Sequence, residues 1–198
     1  MAKLNIPTRL TIVRIVLIPL FVALYLIDFP YNGVVAVAVF MIASFTDFLD
    51  GYLARKWNQV TSLGKFLDPI ADKMLVMCAL VALLLDQSQG DMFTMVVAIF
   101  LMLIESRELI VSCFRIIAAS KGLVLAADRW GKMKTVCQMV ALIVLLPHRS
   151  LYVIFGGATW LSVCYYVGFA LLAAATLLAI ISGANYIIKN KKVLSDGN

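Results

Sequence analysis

The stretch Asp47–Lys73, DFLDGYLARKWNQVTSLGKFLDPIADK, decides how the chain is read. Four carboxylates, Asp47, Asp50, Asp68 and Asp72, stand in it with Arg55, Lys65 and Lys73 among them. Apolar sequence flanks it on both sides. The 198 residues are 63% hydrophobic and 14% charged, with a mean hydropathy of +0.99. A soluble domain of this length carries roughly a quarter charged residues. The composition therefore excludes a soluble fold and implies an all-α integral membrane protein. Its length fits one bundle, a single domain over residues 1–198.

A bilayer core needs about 20 mostly apolar residues per helix. Six candidate spans meet that need, near Leu10–Ile27, Gly33–Arg55, Asp68–Leu85, Met92–Ala118, Gly131–Leu146 and Trp160–Ile188. Residues 1–9 read as an interfacial lead-in and 189–198 as a mobile tail. The first span has Arg14 and Pro19 inside it and lacks a small-residue cleavage site, unlike a secretory leader. With the N-terminus in the cytoplasm, an even number of spans returns the C-terminus there. Of the 17 Lys and Arg, only Arg149 then falls outside. That asymmetry sets the orientation. It also accounts for the net charge of +6, with no basic stripe of the kind that binds nucleic acid. Cys78, Cys113, Cys137 and Cys164 lie in or beside apolar spans and make no Cys-x-x-Cys pair, so they read as small buried hydrophobes.

The acids take their meaning from spacing. Asp47 and Asp50, at i and i+3, share one face of the second span, and Ala54 continues that face with almost no bulk. Gly51 leaves the backbone open to close approach. Asp68 and Asp72, at i and i+4, share a face of the third span. Pro69 disfavours helical geometry at Asp68, so this span starts either at Asp68 or earlier, near Ser62. A short cytoplasmic hairpin would bring the two acidic faces together. Clustered carboxylates at a membrane edge repel and cost several kcal/mol uncompensated. Protonation, pairing with nearby bases, or a divalent cation would relieve this. Hard oxygen ligands suit Mg²⁺ or Mn²⁺, and four acids are enough for two ions about 4 Å apart, an arrangement that clamps a phosphoryl group. Arg55 fits beside them as a diphosphate ligand.

The residues Asp47-x-x-Asp50-Gly51-x-x-Ala54-Arg55, then eight residues, then Gly64-x-x-x-Asp68-x-x-x-Asp72, match at every position the signature of the CDP-alcohol phosphotransferases, which the chain resembles over its whole length. NIPTRLTIVR near the start, Arg107–Glu108 and GKMKT at Gly131–Thr135 resemble the members whose acceptor is sn-glycerol 3-phosphate. The resemblance implies transfer of a phosphatidyl group from CDP-diacylglycerol with release of CMP. It implies that Asp47, Asp50, Asp68 and Asp72 hold two divalent ions, Mg²⁺ or Mn²⁺, and that Asp72 is also the general base. It implies CDP-diacylglycerol binding by Gly51, Ala54, Arg55 and Thr61, completed by Asn5 and Thr8. It also implies a homodimer in the bacterial cytoplasmic membrane.

An acceptor that carries its own phosphate needs a second anion site. Arg107, Arg115, Lys132 and Lys134 are the candidates, with a structural ion pair as the competing reading of Arg107 and simple topology as that of the lysines. Glu105 and Glu108 are too near Arg107 in sequence to face it on a helix, so its partner is expected from another span. His148 falls on the outer side and takes no part. Two other readings stay open: the same chemistry on inositol phosphate, serine or phosphatidylglycerol, and transport of divalent cations, for which intramembrane acids are the usual mark.

Overall fold

The structure is a computed structural model that describes residues 5–57, 62–86, 90–123 and 129–190. Every regular element in it is a helix, as expected where no water is at hand to satisfy the backbone. The helices are α1 (Ile6–Leu26), α2 (Asn32–Lys56), α3 (Ser62–Leu85), α4 (Asp91–Ser120), α5 (Arg129–Leu145), α6 (His148–Ile154) and α7 (Thr159–Lys189). Six of them correspond to the six apolar runs. Lys3, Thr61 and residues 191–198 lie outside the described residues, as do the side chains of Ala54, Arg55, Lys65 and Arg129.

Three boundaries differ from the sequence reading. The first helix begins at Ile6, so residues 6–9 are its first turn and not a lead-in. Pro7 sits in that turn, where its missing N–H costs nothing. Asn5 occupies the N-cap position with extended backbone, but its side chain makes no capping bond. The third helix begins at Ser62 and runs through Pro69. Of the two openings the sequence allowed, this one keeps Asp68 and Asp72 on a single continuous helix. The connection after α5 is not a loop: Pro147 interrupts the helix and the short α6 follows it. The chain turns out of α6 at Gly156 and Gly157, whose φ values of 59° and 74° are open to glycine without strain.

Four stretches are long and apolar enough to cross a membrane: Ile6–Leu26, Asn32–Leu53, Trp130–Ile154 and Thr159–Lys189. The chain is thus a multi-pass, all-α membrane protein. Helices α3 and α4 fall short of that measure because Asp68, Asp72 and Lys73 interrupt one, and Glu105, Arg107 and Glu108 the other. Lipid tails are as apolar as leucine, so the bundle is held by close packing and interhelical hydrogen bonds, not by escape from water. Alanines supply the closeness: Ala36, Ala43, Ala71, Ala79, Ala141, Ala175 and Ala179 are fully buried. Phe21, Phe40, Leu75, Leu80, Leu142 and Leu172 fill the core between them. Phe45, Phe48, Ile116, Val163, Tyr166 and Leu177 stay exposed on the outside, as a lipid-facing surface requires. Helix α1 packs chiefly on α2 and α3, and α7 on α5 and α4.

A polar knot closes the end of the bundle opposite the acids. Asn32 donates from Nδ2 to the Tyr25 carbonyl at 3.0 Å, and Ser150 Oγ donates to Asn32 Oδ1 at 2.9 Å. The Gly33 N–H donates to Ser150 Oγ at 2.9 Å. This joins α1, α2 and α6. It also draws the α2 backbone against Leu146, so that a Cβ on Gly33 would lie 2.8 Å from the Leu146 carbonyl oxygen. A backbone atom cannot move aside as a side chain can. Gly33→Ala is therefore expected to destabilise the detergent-solubilised protein by about 1–3 kcal/mol, seen as a lower thermal midpoint. An unchanged midpoint would mean that the two helices separate at little cost.

Candidate active site

The four acids gather at the other end, between α1, α2 and α3. Arg14 organises them. It is 0% exposed, and its guanidinium pairs with Asp50, itself 4% exposed, and with Asp47, whose Oδ1 is 2.6 Å from Nη1. One turn earlier on α1, the Thr11 hydroxyl donates to Asp68 Oδ1 at 2.7 Å and lies 3.4 Å from Asp50 Oδ2. Side chains of α1 thus stitch the acidic face of α2 to that of α3. The Arg14 contacts are close but not fully satisfied: Nη1 is out of line for a hydrogen bond to Asp47, and Nε has no partner among the described residues.

The sequence reading treated Arg14 as an interfacial cation marking the cytoplasmic side. The structure corrects this: Arg14 is the buried counter-ion of the acidic centre. Its position inside an apolar span, one turn after Thr11, was the available signal, because a charge buried there needs a partner.

Asp72 lies on α3 one turn beyond Asp68 and is half-buried. The charges of Asp47 and Arg14 reach it from one side, and those of Glu108 and Lys134 from the other. It lines a recess of about 50 Å³ together with Lys73, Glu105, Glu108, Lys134 and Gln138. Beyond it, sharing Lys73, Glu108 and Thr135, is a basin of about 210 Å³ whose walls carry Arg107, Arg115 and Lys132. All four residues proposed for a second anion therefore meet in two adjoining spaces, and Asp72 stands where those spaces approach the acids.

Arg107 is held from two directions. Its Nε donates to the Ala179 carbonyl at 3.1 Å and Nη2 to Ser182 Oγ at 2.8 Å, both on α7. These contacts from another span are neutral hydrogen bonds, not the ion pair expected from there. Its Nη1 also donates to Glu108 Oε1 at 2.9 Å, which overturns the expectation that Glu108 is out of reach. Adjacent positions on a helix point apart, but a guanidinium on a long stem bends back across that gap. Glu108 collects further cations: Lys134 Nζ donates to it at 2.7 Å, and Lys73 Nζ lies 3.9 Å away. Lys73 also donates to Ser112, whose hydroxyl donates to the Glu108 carbonyl at 2.6 Å. Arg115 rests over the Tyr186 ring, 5.4 Å from its centroid, and donates from Nε to its hydroxyl at 3.3 Å. Tyr186 and Ser182 were not singled out from the sequence, because each acts through a contact between distant helices.

The small residues of α7 also gain a local meaning. Gly183 lies against Arg107, and a Cβ there would be 2.8 Å from the Arg107 Cγ. Among the CDP-diacylglycerol residues suggested by the motif, Thr8 is buried and Asn5 and Gly51 are half-buried on α1 and α2. Ala54 and Arg55 fall on the last turns of α2, with no side-chain description, and Thr61 is outside the described residues.

Among the described residues, no three acids already form a metal cage. Their donor set nonetheless suits a hard divalent ion: all are carboxylates, and Asp50 and Asp68 each bring an oxygen to the same hydroxyl.

Residues 4–181 match the family model described as CDP-alcohol phosphatidyltransferase. A CDP-diacylglycerol–glycerol-3-phosphate 3-phosphatidyltransferase from Bacillus subtilis is 35% identical, over 98% of this chain and 99% of its own. Proteins of the same name from Haemophilus influenzae and Salmonella paratyphi A are 44% and 38% identical, covering 71% and 93% of this chain and 74% and 94% of theirs. The chain belongs to the CDP-alcohol phosphatidyltransferase family.

Proposed function

We propose that this chain transfers the phosphatidyl group of CDP-diacylglycerol to sn-glycerol 3-phosphate, releasing CMP and forming phosphatidylglycerophosphate. The observation that carries the reading is the junction at Asp72. On one side of it lie the acids of the family signature. On the other, Arg107, Arg115, Lys132 and Lys134 line a basin and recess suited to an acceptor that brings its own phosphate. Serine, a zwitterion with one carboxylate and no net charge, would leave most of these cations without a counter-charge. An ion-conducting path would call for a second acidic layer deeper in the bundle, and the far-end pocket holds Arg149 beside Asp28 and Asp86.

The steps follow from the residues. The acceptor phosphate settles among Arg107, Arg115 and Lys132, and Lys134 draws the rest of the molecule toward Asp72. Asp72 accepts the proton of the acceptor's terminal hydroxyl, which is otherwise a poor nucleophile. The freed oxygen attacks the donor's β-phosphorus, and the bond to the CMP oxygen breaks. Asp47, Asp50, Asp68 and Asp72 are the residues that would hold two Mg²⁺ or Mn²⁺ ions. Such ions neutralise charge on the phosphoryl oxygens and on the leaving group. Gly51, Ala54, Arg55 and Thr61, with Asn5 and Thr8, would receive the nucleotide and diphosphate.

The basic residues support a placement with all six long helices spanning, both termini cytoplasmic and the site at the inner lipid boundary. There a lipid donor and a water-soluble acceptor can meet. The relatives are bacterial, which supports the cytoplasmic membrane of a bacterium. The domain is taken as one unit over residues 1–198. A homodimer belongs to the proposal through the family resemblance alone, since Ala175, Ala179 and Gly183 are buried within the bundle.

The test is an acceptor panel. Purified protein is given CDP-diacylglycerol, Mg²⁺ or Mn²⁺, and glycerol 3-phosphate, inositol phosphate, serine or phosphatidylglycerol. Glycerol 3-phosphate is expected to give the fastest CMP release, and a clear preference for another alcohol would reject the assignment. Asp72→Asn should lower kcat by about 10²–10⁴-fold while donor binding stays near wild type; normal turnover would remove Asp72 as the base. Gly183→Ala should raise KM for glycerol 3-phosphate about tenfold by displacing Arg107, the worth of one charged hydrogen bond, and change KM for CDP-diacylglycerol little. An equal rise for both substrates would place Arg107 outside the acceptor site.

A further inference from the structure

Gln138 is 1% exposed, and its Nε2 has no hydrogen-bond partner among the described residues. Buried amide groups are nearly always paired, and leaving one unpaired costs about as much as losing a hydrogen bond outright. The side chain is on α5, one turn beyond Lys134, and the two share a face. It lines the same recess as Asp72, Glu108 and Lys134. The orphan donor thus stands beside the place where the acceptor would be attacked, and no protein group uses it.

Its chemistry narrows what it meets. The primary amide is neutral and both donates and accepts, which matches an alcohol better than a phosphate. The phosphate already has the guanidinium and ammonium groups of the adjoining basin. The attacked hydroxyl has Asp72. An acceptor stretched between those points carries its middle carbon past α5. The recess of about 50 Å³ is small. It adjoins the basin of about 210 Å³, so an acceptor lies across both, with its phosphate in the basin and its carbon skeleton against Gln138.

We propose that Gln138 binds the secondary hydroxyl of a short polyol phosphate, the hydroxyl that is not attacked, and so selects a three-carbon diol phosphate as acceptor. This rests on the acceptor reading above and adds to it the group that recognises the carbon skeleton. Gln138 is a binding and specificity residue; it exchanges no proton with the acceptor.

The test compares two acceptors, sn-glycerol 3-phosphate and 3-hydroxypropyl phosphate, which lacks only the secondary hydroxyl. Full-length protein in CDP-diacylglycerol micelles with Mg²⁺ should show kcat/KM about 10- to 100-fold lower for 3-hydroxypropyl phosphate, the range of one buried hydrogen bond. Gln138→Met, of similar shape, should lose about that factor on glycerol 3-phosphate and little on 3-hydroxypropyl phosphate, so that the discrimination disappears. Its thermal midpoint without acceptor should be equal or higher, because the substitution removes an unpaired polar group. A Gln138→Met protein that loses activity on both acceptors alike, or still discriminates, overturns the proposal. Wild-type protein provides a check that needs no variant. If it uses both acceptors equally, the role of Gln138 fails while the glycerol 3-phosphate reading stands. If it releases no CMP with glycerol 3-phosphate, both fail together.

Discussion

The interaction on which the architecture depends is the buried contact of Arg14 with Asp47 and Asp50. Two helices must bring four carboxylates to one point at the edge of an apolar bundle. Without a cation, each acid added there raises the cost of the next, and the helix ends would spread apart. A guanidinium from a third helix reverses the sign of that effect. Thr11 extends the arrangement by bonding to Asp68, so α1 serves as a rod that sets the distance between α2 and α3. Breaking such a pair leaves an uncompensated buried charge, which is why its loss costs more than its formation contributes. Arg14 keeps Nε without a hydrogen-bond partner among the described residues.

The same logic is repeated a few residues away with opposite sign. Arg107, Lys134 and Lys73 would repel one another at the rim of the basin, and Glu108 holds them. The carboxylate sits among cations that an acceptor phosphate would otherwise engage. Two charge clusters of opposite net sign therefore sit side by side, each with one internal counter-ion, and Asp72 feels both. The lipid environment strengthens these arrangements. The effective dielectric is low, so neighbouring charges hold one another in place.

Much of this was legible in the sequence, and the limits have a physical pattern. Helical spacing within one segment was readable: Asp47 with Asp50 and Asp68 with Asp72 fall on shared faces because helix geometry fixes them. The six apolar runs and the far-side position of Arg149 were equally direct. What the sequence could not yield was pairing between segments. Arg14 has equal claim, by pattern alone, to be a topology marker or a buried ion pair, and only the packing of α1 on α2 and α3 decides. Glu108 was excluded by a rule about helix directions that holds for Cβ vectors and fails for a side chain as long as arginine. The start of α3 was open because Pro69 weakens a helix locally, yet the helix begins at Ser62 and runs through it.

Gly183 and Gln138 illustrate the last kind of silence. Neither lies in the acidic signature, and neither has a chemistry that attracts attention in a string of letters. Gly183 matters because Arg107 crosses α7 where a methyl group would stand. Gln138 matters because its buried Nε2 has no hydrogen-bond partner among the described residues. A glutamine on an apolar helix normally ties one helix to another, and this one is turned instead toward the space beside Asp72. In the proposed reading the signature acids handle the phosphoryl group. What distinguishes one acceptor from another then has to come from walls that the signature does not include, and α5, which carries Lys132, Lys134 and Gln138, is the wall proposed to run from phosphate to hydroxyl.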